Sequence, residues 1–214
     1  WSAVDSYLSC SGCEILEENE NTVSVAYTFT AAVMPGLDTK IIYTVKRKGQ
    51  LSVECQYIGG ENRPQLPVFG LRFPTPMPAD KGEWLGLSGE TYPDRFKGGS
   101  FGIHEEVPHI SPYLVPQECG CHMQTFRMTL YRGEAKLTVV KDETPFSFSA
   151  LPYTPQQLES ALHMEELPPA KRTVVSLFGA VRGVGGIDTW GNDVESAYHI
   201  HAERDITLRF SIYL

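Results

Sequence analysis

Apolar residues in this chain recur at every second position, over and over, and that period admits few folds. Val23, Val25, Tyr27 and Phe29 share one parity, as do Ile41, Tyr43 and Val45, and then Leu51, Val53, Cys55 and Tyr57. Successive side chains of a strand point to opposite faces, so a run of this kind buries one face and leaves the other to solvent. The pattern returns at Phe69, Leu71 and Phe73, around Phe126 to Leu130, at Leu137 and Val139, at Phe146 and Phe148, and at Leu208, Phe210, Ile212 and Leu214. Gly49 closes one predicted hairpin and Arg132-Gly133 a second, each between alternating runs. The expectation is an all-β, antiparallel fold.

One segment has a different period. Thr154 can cap a helix, Pro155 suits its first position, and Leu158, Ala161 and Leu162 follow at helical spacing. A single short helix is predicted there, stopped by Pro168-Pro169 before a strand over roughly 174–180. Pro and Gly enrichment without periodicity predicts long loops over 74–81 and 96–111. Long loops of a compact β domain tend to carry function.

With 214 residues the chain can bury a sizeable core as one domain, 1–214. No apolar run is long enough to span a bilayer, so no membrane partner is expected. A net charge of -8 disfavours nucleic acid, whose phosphates need clustered Lys and Arg. There is no basic and apolar leader at the start, and a chain beginning at Trp1 is expected to have lost its natural beginning. The five cysteines do not form the even framework of a small secreted domain, so reduced thiols and a cytoplasmic location are the expectation.

Several groups of residues could carry chemistry. Cys10 and Cys13 have zinc-knuckle spacing, with Cys119, Cys121 and His122 as further soft ligands, but the second half has an unusual form and no metal is expected. His199 and His201 would share one face of a strand. Glu90, Asp94, Glu118, Asp188 and Asp193 sit in loop-like contexts, where carboxylates mostly form turns or pair with Arg. Arg95 could clamp Glu90 or Glu118 with its planar fork. Trp190 lies on the glycine-rich stretch Gly183 to Gly191, either capping a sheet edge as core or facing a ligand. In the ligand reading its indole packs on the C–H face of a sugar while Asp188 and Asn192 reach hydroxyls.

The motifs also resemble a family. Trp84-Leu85-Gly86-Leu87-Ser88-Gly89-Glu90-Thr91-Tyr92-Pro93-Asp94-Arg95 is similar to WxGxGPxExYxDR, and Tyr113-Leu114-Val115-Pro116-Gln117-Glu118-Cys119-Gly120 to YxxPQExG, in the small-chain domain of family-two β-galactosidases. Phe148 to Tyr153, leading into a helix over 158–167 with His163 and Glu166, continues the match. Val184-Gly185-Gly186-Ile187-Asp188-Thr189-Trp190-Gly191 then resembles GGDDSWG. Three departures stand out: the turn before Glu90 is one residue short, His122 falls where Arg is usual, and Ile187 replaces the first Asp. The chain starts just after the family's RAPTDND segment, so the domain's first strands are expected to be missing.

The resemblance implies a large antiparallel β-supersandwich, galactose-mutarotase-like, beside a catalytic TIM barrel in the same or a partner chain. It implies no catalytic residue and no cofactor in this chain. Trp190 would form a wall of the galactoside site with Asp188 bracing its loop, while Glu90, Asp94, Arg95 and Glu118 organise the loops beneath. Three rivals remain, one of them a purely structural interaction domain in which the loop carrying Trp190 would be buried in a partner. A free-standing carbohydrate-binding module would use Trp190 with Tyr92 or His104, and a mutarotase-like sugar epimerase would use His104, Glu105 and His122 as acid and base.

Overall fold

The computed structural model describes residues 1–47 and 49–213. A short helix α1 (Ser2–Tyr7) leads into β1 (Leu8–Glu18), β2 (Thr22–Ala31), β3 (Asp38–Lys46), β4 (Leu51–Tyr57), β5 (Val68–Pro74), β6 (Lys81–Leu87) and β7 (Phe101–Glu106). Then come β8 (His122–Thr125), β9 (Arg127–Arg132), β10 (Ala135–Lys141), β11 (Phe146–Leu151), helix α2 (Pro155–Glu159), β12 (Val174–Val181) and β13 (Ile206–Tyr213). Among the described residues the strands form a nine-stranded sheet, ordered β1-β2-β3-β4-β13-β10-β9-β6-β7, and a four-stranded sheet, β5-β12-β11-β8. Every pairing is antiparallel.

The sequence period explains the sandwich. Val53, Cys55 and Tyr57 of β4, Leu208 and Phe210 of β13, Val139 of β10 and Trp84 of β6 turn inward and meet Phe69, Phe146, Phe148, Val175 and Leu177 of the smaller sheet in one core. Fully burying each large apolar side chain contributes roughly 1.5–3 kcal/mol, so this row dominates stability. Both predicted hairpins form, with Val45 opposite Leu51 around Gly49 and Arg132 opposite Ala135 around Gly133. Leu214, read as the end of the last alternating run, lies outside the described residues.

Toward β1 the inner face stays apolar through Val23, Val25, Tyr27, Phe29, Tyr43 and Val45, but its cover thins, and Val23 and Val45 are exposed. The far face of the smaller sheet is covered instead. There Phe178 packs with Tyr92 and Cys121, while Leu151 and Cys119 hold Leu158 of α2. The loops that carry the candidate site therefore lie on the outer side of the smaller sheet.

Four expectations need correction. The Thr154 cap forms as a full capping box with Gln157, but α2 ends at Glu159 and the chain continues as a turn of 3-10 helix, Met164–Glu166, so no helix spans 158–167. A second short helix, α1, joins it. The segment expected as a loop over 96–111 contains the edge strand β7, and His199 with His201 flanks a single bridge, Ile200 to Leu66, rather than sitting in a named strand. No helix among the described residues is long and apolar enough to cross a membrane.

Candidate functional site

Trp190 is 90% exposed, so it caps no core. Its loop is nevertheless held at several points. Asp94, across 90 residues of sequence, accepts from the Val184 amide (3.0 Å) and the Gly185 amide (2.5 Å) through its two carboxylate oxygens. A Cβ on Gly185 would collide with that carboxylate, which is why glycine stands there. Farther along, one oxygen of Asp188 accepts from the Trp190 amide (2.8 Å) and the other from the Asn192 side-chain amide (2.6 Å). The Trp190 amide first, and Asn192 next, hold the Asp188 carboxyl below its ordinary range. Gly191, with φ of +92°, turns the chain in the left-handed region, and Arg182 pairs with Asp193 to close the loop.

Beneath this lies the network around Glu90. Its carboxylate accepts from Ser111 Oγ (2.6 Å), Tyr113 Oη (3.0 Å) and the Gly120 amide (3.1 Å), tying the loop after β6 to the loop before β8. Charge-assisted bonds of this kind are about twice as strong as neutral ones. Burial first, and the bond to Glu90 next, push the Tyr113 hydroxyl up. Arg95 closes a tight turn with Tyr92, and its guanidinium lies beside Gly185. Among the described residues it pairs with neither Glu90 nor Glu118; Glu118 pairs instead with Arg72 at 3.4 Å. Burial pushes the Glu118 carboxyl up against the opposing pull of Arg72.

Of the residues proposed for the rival readings, His104 and His122 both pack against the buried Trp84 ring, at 5.5 and 4.2 Å between ring centroids. Tyr92 is buried, so it offers no surface beside Trp190. His104 bonds the Ser100 carbonyl, Glu105 pairs with Lys81, and His122 is 2% exposed. No group of three or more His, Cys, Asp or Glu is arranged around a common centre among the described residues, and Cys10 and Cys13 are exposed on β1 while Cys119 and Cys121 are buried.

One cluster escaped the sequence reading. His122 Nδ1 donates to the Gly89 carbonyl (2.8 Å) and Nε2 meets Glu106 at 3.0 Å, with the ring against Trp84 at 4.2 Å and Phe148 at 4.9 Å. With Nδ1 committed to a carbonyl, the contact at Nε2 needs one more proton, shared between imidazole and carboxyl. The sequence marked His122, as a possible metal ligand, as an acid or base and as a departure from the usual Arg, but nothing in it pointed to Glu106 as its partner.

Fold and loops together define an all-β sandwich domain whose surface chemistry rests on a carboxylate-tied loop bearing a bare indole. The chain belongs to the β-galactosidase small chain family, whose sequence pattern matches residues 2–213. It is 41% identical to a β-galactosidase small subunit of Latilactobacillus sakei, with 99% of this chain and 76% of that protein aligned. It is 34% identical to a β-galactosidase of Halalkalibacterium halodurans and 30% to β-galactosidase BgaC of Bifidobacterium adolescentis, over 99% and 100% of this chain. The chain spans about three-quarters of the first relative but only 22% and 21% of the other two.

Proposed function

We propose that residues 1–214 act as one domain that completes the galactoside site of a β-galactosidase, with the catalytic carboxylates supplied by a TIM-barrel domain of the same protein or by a partner subunit. Trp190 is the stacking wall for the sugar and Asp188 braces its loop. The observation that carries this reading is the bare indole at 90% exposure on a loop fixed by Asp94 and Asp188. An exposed tryptophan on a pre-ordered loop costs little to organise when a sugar ring arrives. Relatives named for both a small subunit and a longer β-galactosidase are the reason to leave the barrel in either chain.

Hydrolysis by a retaining glycosidase needs two carboxyl groups about 5 Å apart across the glycosidic bond. Here Glu90, Asp94 and Asp188 each spend their oxygens on internal donors, which suits positioning more than acid or base work. We therefore assign no catalytic residue and no cofactor to this chain; the odd number of cysteines, which suits reduced thiols, is the ground for a cytoplasmic setting. Purified chain should neither cleave an aryl β-galactoside nor bind galactose until the catalytic partner is added. Cleavage by the chain alone, abolished by changing one of its own carboxylates, would overturn the assignment. Galactose binding by the isolated chain that disappears on Trp190→Ala would instead favour a free-standing carbohydrate-binding module.

A further inference from the structure

Cysteines three apart in a regular strand point to opposite faces, since the side-chain period is two. In β1 they do not. Cys10 pairs with Phe29 and Cys13 with Tyr27, two positions on β2 that share a face, because the register shifts between Cys10 and Gly12. This bulge inserts one extra residue and carries Cys13 round to the side of Cys10.

Same-face neighbours along a strand have Cα atoms roughly 6–7 Å apart, at the upper end of what a disulfide spans. The Cys10 thiol leans the right way, with its Sγ 3.4 Å from the Gly12 carbonyl, the group that joins directly to Cys13. Both thiols also lie near a single hydroxyl: Cys13, by its charge and its hydrogen bond, is the main cause that raises Tyr27, and Cys10 adds to it. Both cysteines are exposed, and among the described residues β1 is an edge strand of its sheet. The other three cysteines are buried, and burial pushes the Cys55 thiol up to about 12.

We propose that Cys10 and Cys13 form a vicinal dithiol site that exchanges with small-molecule disulfides and closes to an internal disulfide. One thiolate attacks a sulfur of the small disulfide, breaking its S–S bond and releasing one small thiolate. The second thiolate attacks the protein sulfur of the mixed disulfide and expels the other. The two protons end on the released thiols; the protein pair is oxidised by two electrons and the small disulfide is reduced. Only thiolates react, so the exchange speeds up as pH rises.

The test treats the reduced chain with oxidised glutathione, quenches with an alkylating agent and maps the peptides. The peptide holding Cys10 and Cys13 should lose two hydrogens and take no alkyl label. Cys10→Ser and Cys13→Ser should each stop at a bound glutathione and keep it at least about tenfold longer, because the neighbouring thiol acts at an effective concentration far above that of any second molecule. Wild-type chain carrying separate labels on Cys10 and Cys13 would overturn the proposal. So would single-serine variants that shed glutathione as fast as the wild type does.

Discussion

Removing the Asp94 carboxylate should unpin the Trp190 loop without melting the sandwich. Asp94→Ala deletes two hydrogen bonds from a charged acceptor, to the Val184 and Gly185 amides. Net values for bonds to charged groups run about 1.5–3 kcal/mol, and the freed amides lie at a loop surface where water can reach them. We take about 1.5–3 kcal/mol for the pair together, half or less of the simple sum. No core side chain is touched, so the cost appears as local opening. Amide hydrogen exchange at Val184 and Gly185 should then accelerate by about 10- to 150-fold, at roughly 1.4 kcal/mol per decade, while amides in β12 and β13 keep their protection. Gly185→Ala should loosen the same segment by the opposite route, forcing a Cβ against the carboxylate. Unchanged exchange over 183–186 in Asp94→Ala would refute the pinning role; a uniform loss of protection through both sheets would show that Asp94 supports the whole fold instead.

Trp84 and Trp190 should part company. Trp84→Ala opens the centre of the core, where the indole is 2% exposed and bonds the Leu87 carbonyl at 2.9 Å, and should cost roughly 3–5 kcal/mol in urea unfolding. Acid should weaken the fold partly through Glu106. Burial pushes that carboxyl up, but the bond to and charge of His122 outweigh it and hold it below its ordinary value. A depressed carboxyl contributes stability that is present above its unfolded pKa and lost as pH falls through the folded one. Urea unfolding followed from about pH 5 downward should therefore fall less steeply in Glu106→Gln than in the wild type, a difference that isolates this pair from other lowered carboxyls such as Glu54 and Asp80; parallel curves would count against it.

How far the sequence could be read depended on burial contrast. Strands with one buried face, such as β4 and β13, announce themselves through alternation. β1 does not, because all eleven of its residues are exposed and two register shifts break its period. β7 hides for a related reason: an edge strand beginning Phe101-Gly102 has exposed Phe101 and Ile103 on one parity and only partial burial on the other. α2 was legible through its cap, whereas the change from α to 3-10 geometry after Ser160 leaves no local mark. At the site, residue type alone favours a buried Trp190, and only the family motif pointed outward. The Asp94 bonds to Val184 and Gly185 join segments 90 and 91 positions apart, a pairing no local pattern encodes.

The contribution of Trp190 to a galactoside site is tested most directly in the assembled enzyme, by measuring kcat/KM for a galactoside beside thermal unfolding for Trp190→Ala and Trp190→Phe. Loss of the stacking face should cost on the order of 1–3 kcal/mol of transition-state stabilisation, a fall of about 5- to 150-fold in kcat/KM, with Phe recovering part and the melting temperature unmoved. Full kcat/KM in Trp190→Ala, with the complex intact, would contradict the assignment.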